Sequence, residues 1–304
     1  MHIPDGFLDT KTWVTAAAAS AATISYTVKK VSKEFDEKDP PLMGVLAAFI
    51  FAAQMLNFPV AGGTSGHFVG AALAAILLGP WKSMLVMLSV VGVQALLFGD
   101  GGITSLGANV LNMAIIAPFI AYWIYEILKR FNIYVSTFAA GLISTVVAAT
   151  ACSIELASSG TIPFVISAPL MTGWHLLIGI GEGLITAATV SYLVKVRPDL
   201  VRGQASLDWR SLLVFGGVSV FFALFLSPLA STFPDGLERV AHDLGFIKKE
   251  TNLFKALIPD YAMPGLRSEG LATGLAGFIG VLVTILIGYG IATIAKRRSS
   301  GRIN

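Results

Sequence analysis

Residues 71–90 read AALAAILLGPWKSMLVMLSV, and the fold turns on Gly79-Pro80 in the middle of this run. Read as one helix, the run carries a proline in mid-span and reverses the direction of every later segment. Read as two helices, the dipeptide is a tight turn. Proline lacks an N–H and disfavours the helical region for the residue before it. A membrane-crossing helix needs about 20 mostly apolar residues, and with the turn in place nine segments qualify: 10–30, 41–59, 64–80, 82–99, 106–130, 133–157, 169–194, 211–230 and 270–294. With the N-terminus outside, fifteen of the 21 Lys and Arg fall in cytoplasmic segments, at 29–38, 82, 129–130, 195–210 and 296–302. Of the other six, only Lys11 lies outside the long outer loop 231–269. Every short loop then obeys the positive-inside rule, giving an N-outside, C-inside chain.

Composition narrows the class in the same direction. Of 304 residues, 55% are hydrophobic and 13% charged, and the mean hydropathy is +0.76. A soluble domain carries about 25% charged residues. Disorder and a disulfide scaffold are excluded, the latter because Cys152 is the sole cysteine. The net charge of +3 is no signal for nucleic acid. The expectation is an all-α integral membrane protein. Seven helices fill residues 1–196, a polar cytoplasmic linker follows at 197–210, and 211–304 forms a two-helix hairpin with an outer loop. The apolar run 10–28 is followed, not preceded, by Lys29 and Lys30, which argues against a signal peptide. The first residues are therefore expected to remain, on the outer face.

Four histidines carry the candidate chemistry. At His2, a free N-terminal amine, the amide nitrogen of residue 2 and the imidazole Nδ1 can close two chelate rings around one metal ion. This planar nitrogen set suits Ni(II) or Cu(II) and leaves one position for a fourth ligand. The apolar, turn-forming segment MHIPDGFLD is suited to folding back into the protein. His67, in AGGTSGHFVG, is expected at the outer end of the third helix beside a small-residue stripe of Gly62, Gly66, Gly70 and Ala74. Such a face admits close backbone approach. His175 and Glu182, seven apart in WHLLIGIGEGLIT, share one face of the seventh helix. With Glu155 they could form a proton path, a di-metal carboxylate site or an interhelical network. Gln54 with Asn57, and Asn109 with Asn112, each three apart, are expected to place amides on single helix faces. Asn57, Thr64, Ser65, Asn109, His175 and Glu182 are the candidates for a supporting network. His242 reads as solvated surface. No phosphate loop is present, because the Gly-rich run lacks the Lys-Ser/Thr ending.

Four stretches, MHIPDGFLD at 1–9, PVAGGTSGHFVGAALAAILLGPW at 59–81, FGDGGITSLGANVLNMAI at 98–115 and HLLIGIGEGLIT at 175–186, together resemble the CbiM/NikM family. These are the substrate-capture (S) components of energy-coupling factor (ECF) importers for cobalt and nickel. Residues 211–294, with PDGLE at 234–238, resemble the small CbiN/NikN component, so the chain looks like a fusion of the two. The resemblance implies a four-nitrogen metal site made of the Met1 amine, the His2 amide and imidazole, and His67. It also implies a transmembrane coupling protein and two ABC-type ATPases as separate partners, an inner-membrane location in a prokaryote, and Ni(II) or Co(II) as the transported substrate with no enzymatic activity in this chain. By analogy with other S components, the small-residue stripe of Gly44, Ala48 and Ala52 would dock on the coupling protein; the alternative is internal packing between helices of this chain. A proton-coupled secondary metal transporter or a membrane metalloenzyme using His175, Glu182 and Glu155 is the competing expectation.

Overall fold

The computed structural model describes residues 2–201 and 209–300, excluding the side chains of 298–300. Met1 and half of the expected linker, 202–208, lie outside the described residues. The elements run α1 (Thr10–Val31), α2 (Asp39–Gln54), β1 (Asn57–Val60), β2 (Thr64–His67), α3 (Ala71–Val93), α4 (Leu106–Asn109), α5 (Ala117–Leu128), α6 (Ile133–Ser158), α7 (Phe164–Val196), α8 (Pro198–Val201), α9 (Trp209–Phe221), α10 (Gly236–Asp243) and α11 (Glu269–Ser300). Wider π turns extend α3 through Gln94–Phe98, join α4 to α5 through Val110–Ile116 and extend α9 through Phe222–Leu226. Six helical stretches among the described residues are long and apolar enough to cross a membrane, and α2 is a shorter apolar helix. α1 has the length, at 22 residues, but a more mixed composition.

Gly79-Pro80 is a reversal, as the sequence suggests. Gly79 takes φ 75 and ψ 174, far from helical geometry and open to glycine without strain. Ile76, Leu77, Leu78 and Lys82 line one cavity with Asp39 and Lys129, at the end of the bundle reached by the C-terminus of α1. We name that end the lower face. Phe98, past the end of the run, lines a cavity with Pro4 and Asp5 at the opposite, upper face, where the chain's first residues sit. The arm before the bend is about two turns long, so only residues 81–98 make a full crossing.

The third expected span needs correcting. Residues 64–70 are not helical. β1 and β2 form an antiparallel hairpin with Asn57 opposite His67 and Val60 opposite Thr64. Gly62, Gly63 and Gly70 have positive φ, so the four-residue glycine spacing marks turns and not a helix stripe. Asn57 therefore shares no helix face with Gln54.

The C-terminal part wraps the rest. α11 packs along α2, and a Cβ at Gly44 would lie 2.9 Å from Ile285 O. Gly44, Ala48 and Ala52 are all buried, so the stripe expected to dock on a partner is covered within this chain.

A two-histidine site under the long loop

The first residues form a plug in the upper face. Ile3 and Phe7 are buried, at 0% and 1% exposure. Several polar groups of this extended segment are met by the neighbouring chain. Asn109 grips Ile3 from both sides, accepting from Ile3 N (2.8 Å) and donating to Ile3 O (3.1 Å). Gly102 N also donates to Ile3 O (2.9 Å). Asp5 accepts from Thr104 N and its hydroxyl, and Ser105 donates to Pro4 O. An extended segment cannot satisfy its own backbone, and burying it unpaired would cost about 1–3 kcal/mol per group. The 101–109 turn provides those partners.

This plug carries His2 to His67. The rings stack with centroids 5.5 Å apart and planes 21° from parallel. His2 Nδ1 lies 3.0 Å from Asp100 Oδ1, and Nε2 lies 3.1 Å from Gln94 Oε1. His67 Nδ1 is 3.3 Å from Phe68 O; a carbonyl can only accept, so this contact puts a hydrogen on Nδ1 and makes Nε2 the lone-pair nitrogen. Burial lowers the His67 pKa to about 3, which keeps the ring in the neutral form that binds metals. At Asp100 burial acts to raise the pKa, but His2 and the Tyr261 hydroxyl outweigh it and hold the carboxyl well below its usual range.

The hairpin bearing His67 is held from two directions. Below it, Glu182 on α7 accepts from Val69 N (2.6 Å) and Gly70 N (3.0 Å). Gly70 has φ 76, and a Cβ there would meet Ile50 at 2.6 Å, so glycine is required. Gln54 donates to Val69 O at 2.6 Å. Above it, the PDGLE stretch docks along the hairpin: Ser65 N donates to Pro234 O (2.8 Å), Ser65 Oγ to Phe233 O (2.7 Å) and Ser231 N to Asn57 O (2.8 Å). Asp235 and Glu238 form a capping box that starts α10. His67, His175 and Asp235 line one small cavity. Thr64 is fully buried on β2.

His175, Glu182 and Glu155 do not make a joint site. His175 Nδ1 bonds Met171 O (2.8 Å), Glu182 serves the hairpin and Glu155 accepts from Asn112 (2.7 Å). Asn109 and Asn112 likewise serve different partners, since one grips Ile3 and the other Glu155. Among the described residues, no group of three or more His, Cys, Asp or Glu side chains is placed to hold a metal ion. Gln94, Asp100 and Tyr261 were not among the candidates. A glutamine inside an apolar span and an aspartate between glycines were the signals in the sequence; Tyr261 had none.

Fold and site together define a polytopic helical membrane protein with a buried two-histidine site at one face, formed by its N-terminal plug and roofed by its C-terminal part. The chain belongs to the CbiM family, the cobalt uptake substrate-specific transmembrane region, which matches residues 2–200, and a PDGLE domain matches residues 209–297. It is 39% identical to a putative fused nickel transport protein NikMN of Archaeoglobus fulgidus, over 97% of this chain and 99% of that one. It is 30% identical to the fused nickel transport protein NikMN of Rhodobacter capsulatus, over 99% of this chain and all of that one. A solved structure of a transition metal transporter superposes with a TM-score of 0.60 at 38% identity, covering 67% of this chain and 97% of that one.

Proposed function

We propose that the chain captures Ni(II) or Co(II) at its upper face as the substrate-binding component of an importer. The supporting observation is the convergence of His2 and His67, two buried imidazoles from segments 65 residues apart in sequence. Names of full-length and partial relatives point to both ions: nickel for the fused proteins, and cobalt for a putative CbiM of Methanocorpusculum labreanum that is 33% identical over 66% of this chain and 92% of that one.

Two imidazoles are too few for tight binding. The Met1 amine and the His2 amide nitrogen supply the remaining donors in this reading, giving a planar four-nitrogen set. That set favours low-spin Ni(II) and excludes the octahedral oxygen preference of Mg(II). Energy comes from a separate coupling protein and ABC-type ATPases, and the upper face is the outer one. Asn57, Thr64, Ser65, Asn109 and Glu182 hold the ligands in place but do not ligate. His175 lines the cavity below.

The test is equilibrium dialysis of the purified full chain against Ni(II) and Co(II). One ion per chain is expected, and none in His2→Ala. Orientation is tested separately: a cysteine introduced at position 250 should react with an impermeant reagent from outside, and one at 195 should not.

A further inference from the structure

Glu155 is a buried acid for which the metal site has no use. It lies three residues before the end of α6, about one turn after Cys152. It is 8% exposed, and Asn112, in the π turns between α4 and α5, is fully buried. Both belong to stretches long and apolar enough to cross a membrane. One hydrogen bond joins them, with Asn112 Nδ2 donating to Glu155 Oε2 at 2.7 Å. The other oxygen of each side chain, Glu155 Oε1 and Asn112 Oδ1, is buried without a partner.

A carboxylate oxygen and an amide oxygen only accept, so these two cannot satisfy each other. Buried polar atoms are nearly always paired, and an ionised carboxylate inside a membrane also needs a counter-charge. Among the described residues, no Lys or Arg is buried. A resident hard cation fits poorly, because such ions gather about six oxygen ligands or more and this pair has two to offer. A single proton meets both demands. It neutralises Glu155 and turns Oε1 into a donor toward Asn112 Oδ1. Acid and amide then each donate once and accept once, in a closed ring.

The place of the pair gives it a task. Asn112 lies three residues after Asn109, which holds Ile3 N and Ile3 O. Glu155 lies six residues before Thr161, whose hydroxyl donates to Phe7 O at 2.5 Å. The two segments that grip the N-terminal plug are thus tied to each other by Glu155 and Asn112. We propose that Glu155 is an intramembrane proton-binding site, its carboxyl carrying a proton shared with Asn112, and that this clasp holds the two walls of the plug together. The inference stands apart from which ion the chain carries and which atoms ligate it.

The experiment is infrared spectroscopy of the purified full chain at neutral pH, with no metal added. Wild type should show the carbonyl stretch of a protonated carboxylic acid, and Glu155→Gln should lose it. Asn112→Ala should move that band to higher frequency, because the carbonyl then lacks its donor. If Glu155→Gln removes no acid band and alters only the bands of ionised carboxylates, the inference is overturned. Thermal unfolding gives a second readout. Glutamine can replace a neutral acid in the closed ring, donating to Asn112 Oδ1 and accepting from Nδ2, so Glu155→Gln should unfold near the wild-type midpoint. Glu155→Ala leaves Asn112 without its partner and should unfold several degrees lower. Glu155→Gln as unstable as Glu155→Ala, or unable to fold, contradicts a neutral Glu155.

Discussion

The chain contains two constellations of histidine with polar neighbours, and they have opposite fates. His2 and His67 come from a chain end and a glycine-rich loop, without helical spacing, and meet with rings 5.5 Å apart. His175 and Glu182 share a helix face at ideal spacing, yet each turns to a separate backbone partner. Spacing on a helix shows which residues could cooperate. It does not show what unpaired backbone lies opposite. Glu182 faces two N–H groups at a turn that no strand or helix satisfies, and that need fixes its role.

The comparison breaks most sharply at His67. His67→Ala should weaken metal binding by more than the ten- to hundredfold that loss of a supporting residue costs, with little change in thermal stability. His175→Ala should still bind the ion. If His175→Ala loses metal as completely as His67→Ala, the separation of the two sets is wrong.

Next in size is Glu182→Ala. It orphans Val69 N and Gly70 N, at about 1–3 kcal/mol each, so the unfolding midpoint should fall together with roughly tenfold weaker metal binding. Loss of metal without loss of stability would make Glu182 a ligand. Asn109→Ala leaves both backbone groups of Ile3 short of a partner. A smaller loss is expected there, about 1–2 kcal/mol of stability and a few-fold in affinity, because Gly102 still holds Ile3 O.

How much of this was legible beforehand follows from where each feature's cause lies. The long helices could be read because each is decided by its own apolar run, and Gly79-Pro80 because the break is local. Residues 64–70 misled because the run PVAGGTSGHFVG is apolar enough for a span, and its glycines fall at four-residue intervals by the accident of turn positions. Asn109 was visible as a polar residue in an apolar stretch, but its partner Ile3 is 106 residues away. The covering of Gly44 by α11 and the reach of Tyr261 to Asp100 depend on tertiary packing alone.

The smallest effect is on pH dependence. His67 has a folded pKa of about 3, against an ordinary value near 6.5. Its contribution to metal-free stability is complete above pH 6.5 and is lost as the pH falls toward 3, because the unfolded chain takes up a proton that the folded chain refuses. By pH 5.5 the loss is about 1 kcal/mol, and unfolding curves of His67→Ala should lack it.

The central claim is that the ion is held by the chain's first atoms. Its most direct test is the metal content of purified full-length protein with one alanine inserted between Met1 and His2. The insertion shifts the amine by up to about 3.5 Å, where metal–ligand distances hold to about 0.2 Å, and leaves charge unchanged. The account predicts a folded protein with no retained nickel beside a wild type carrying one ion per chain. A full complement of nickel in the inserted variant would contradict it.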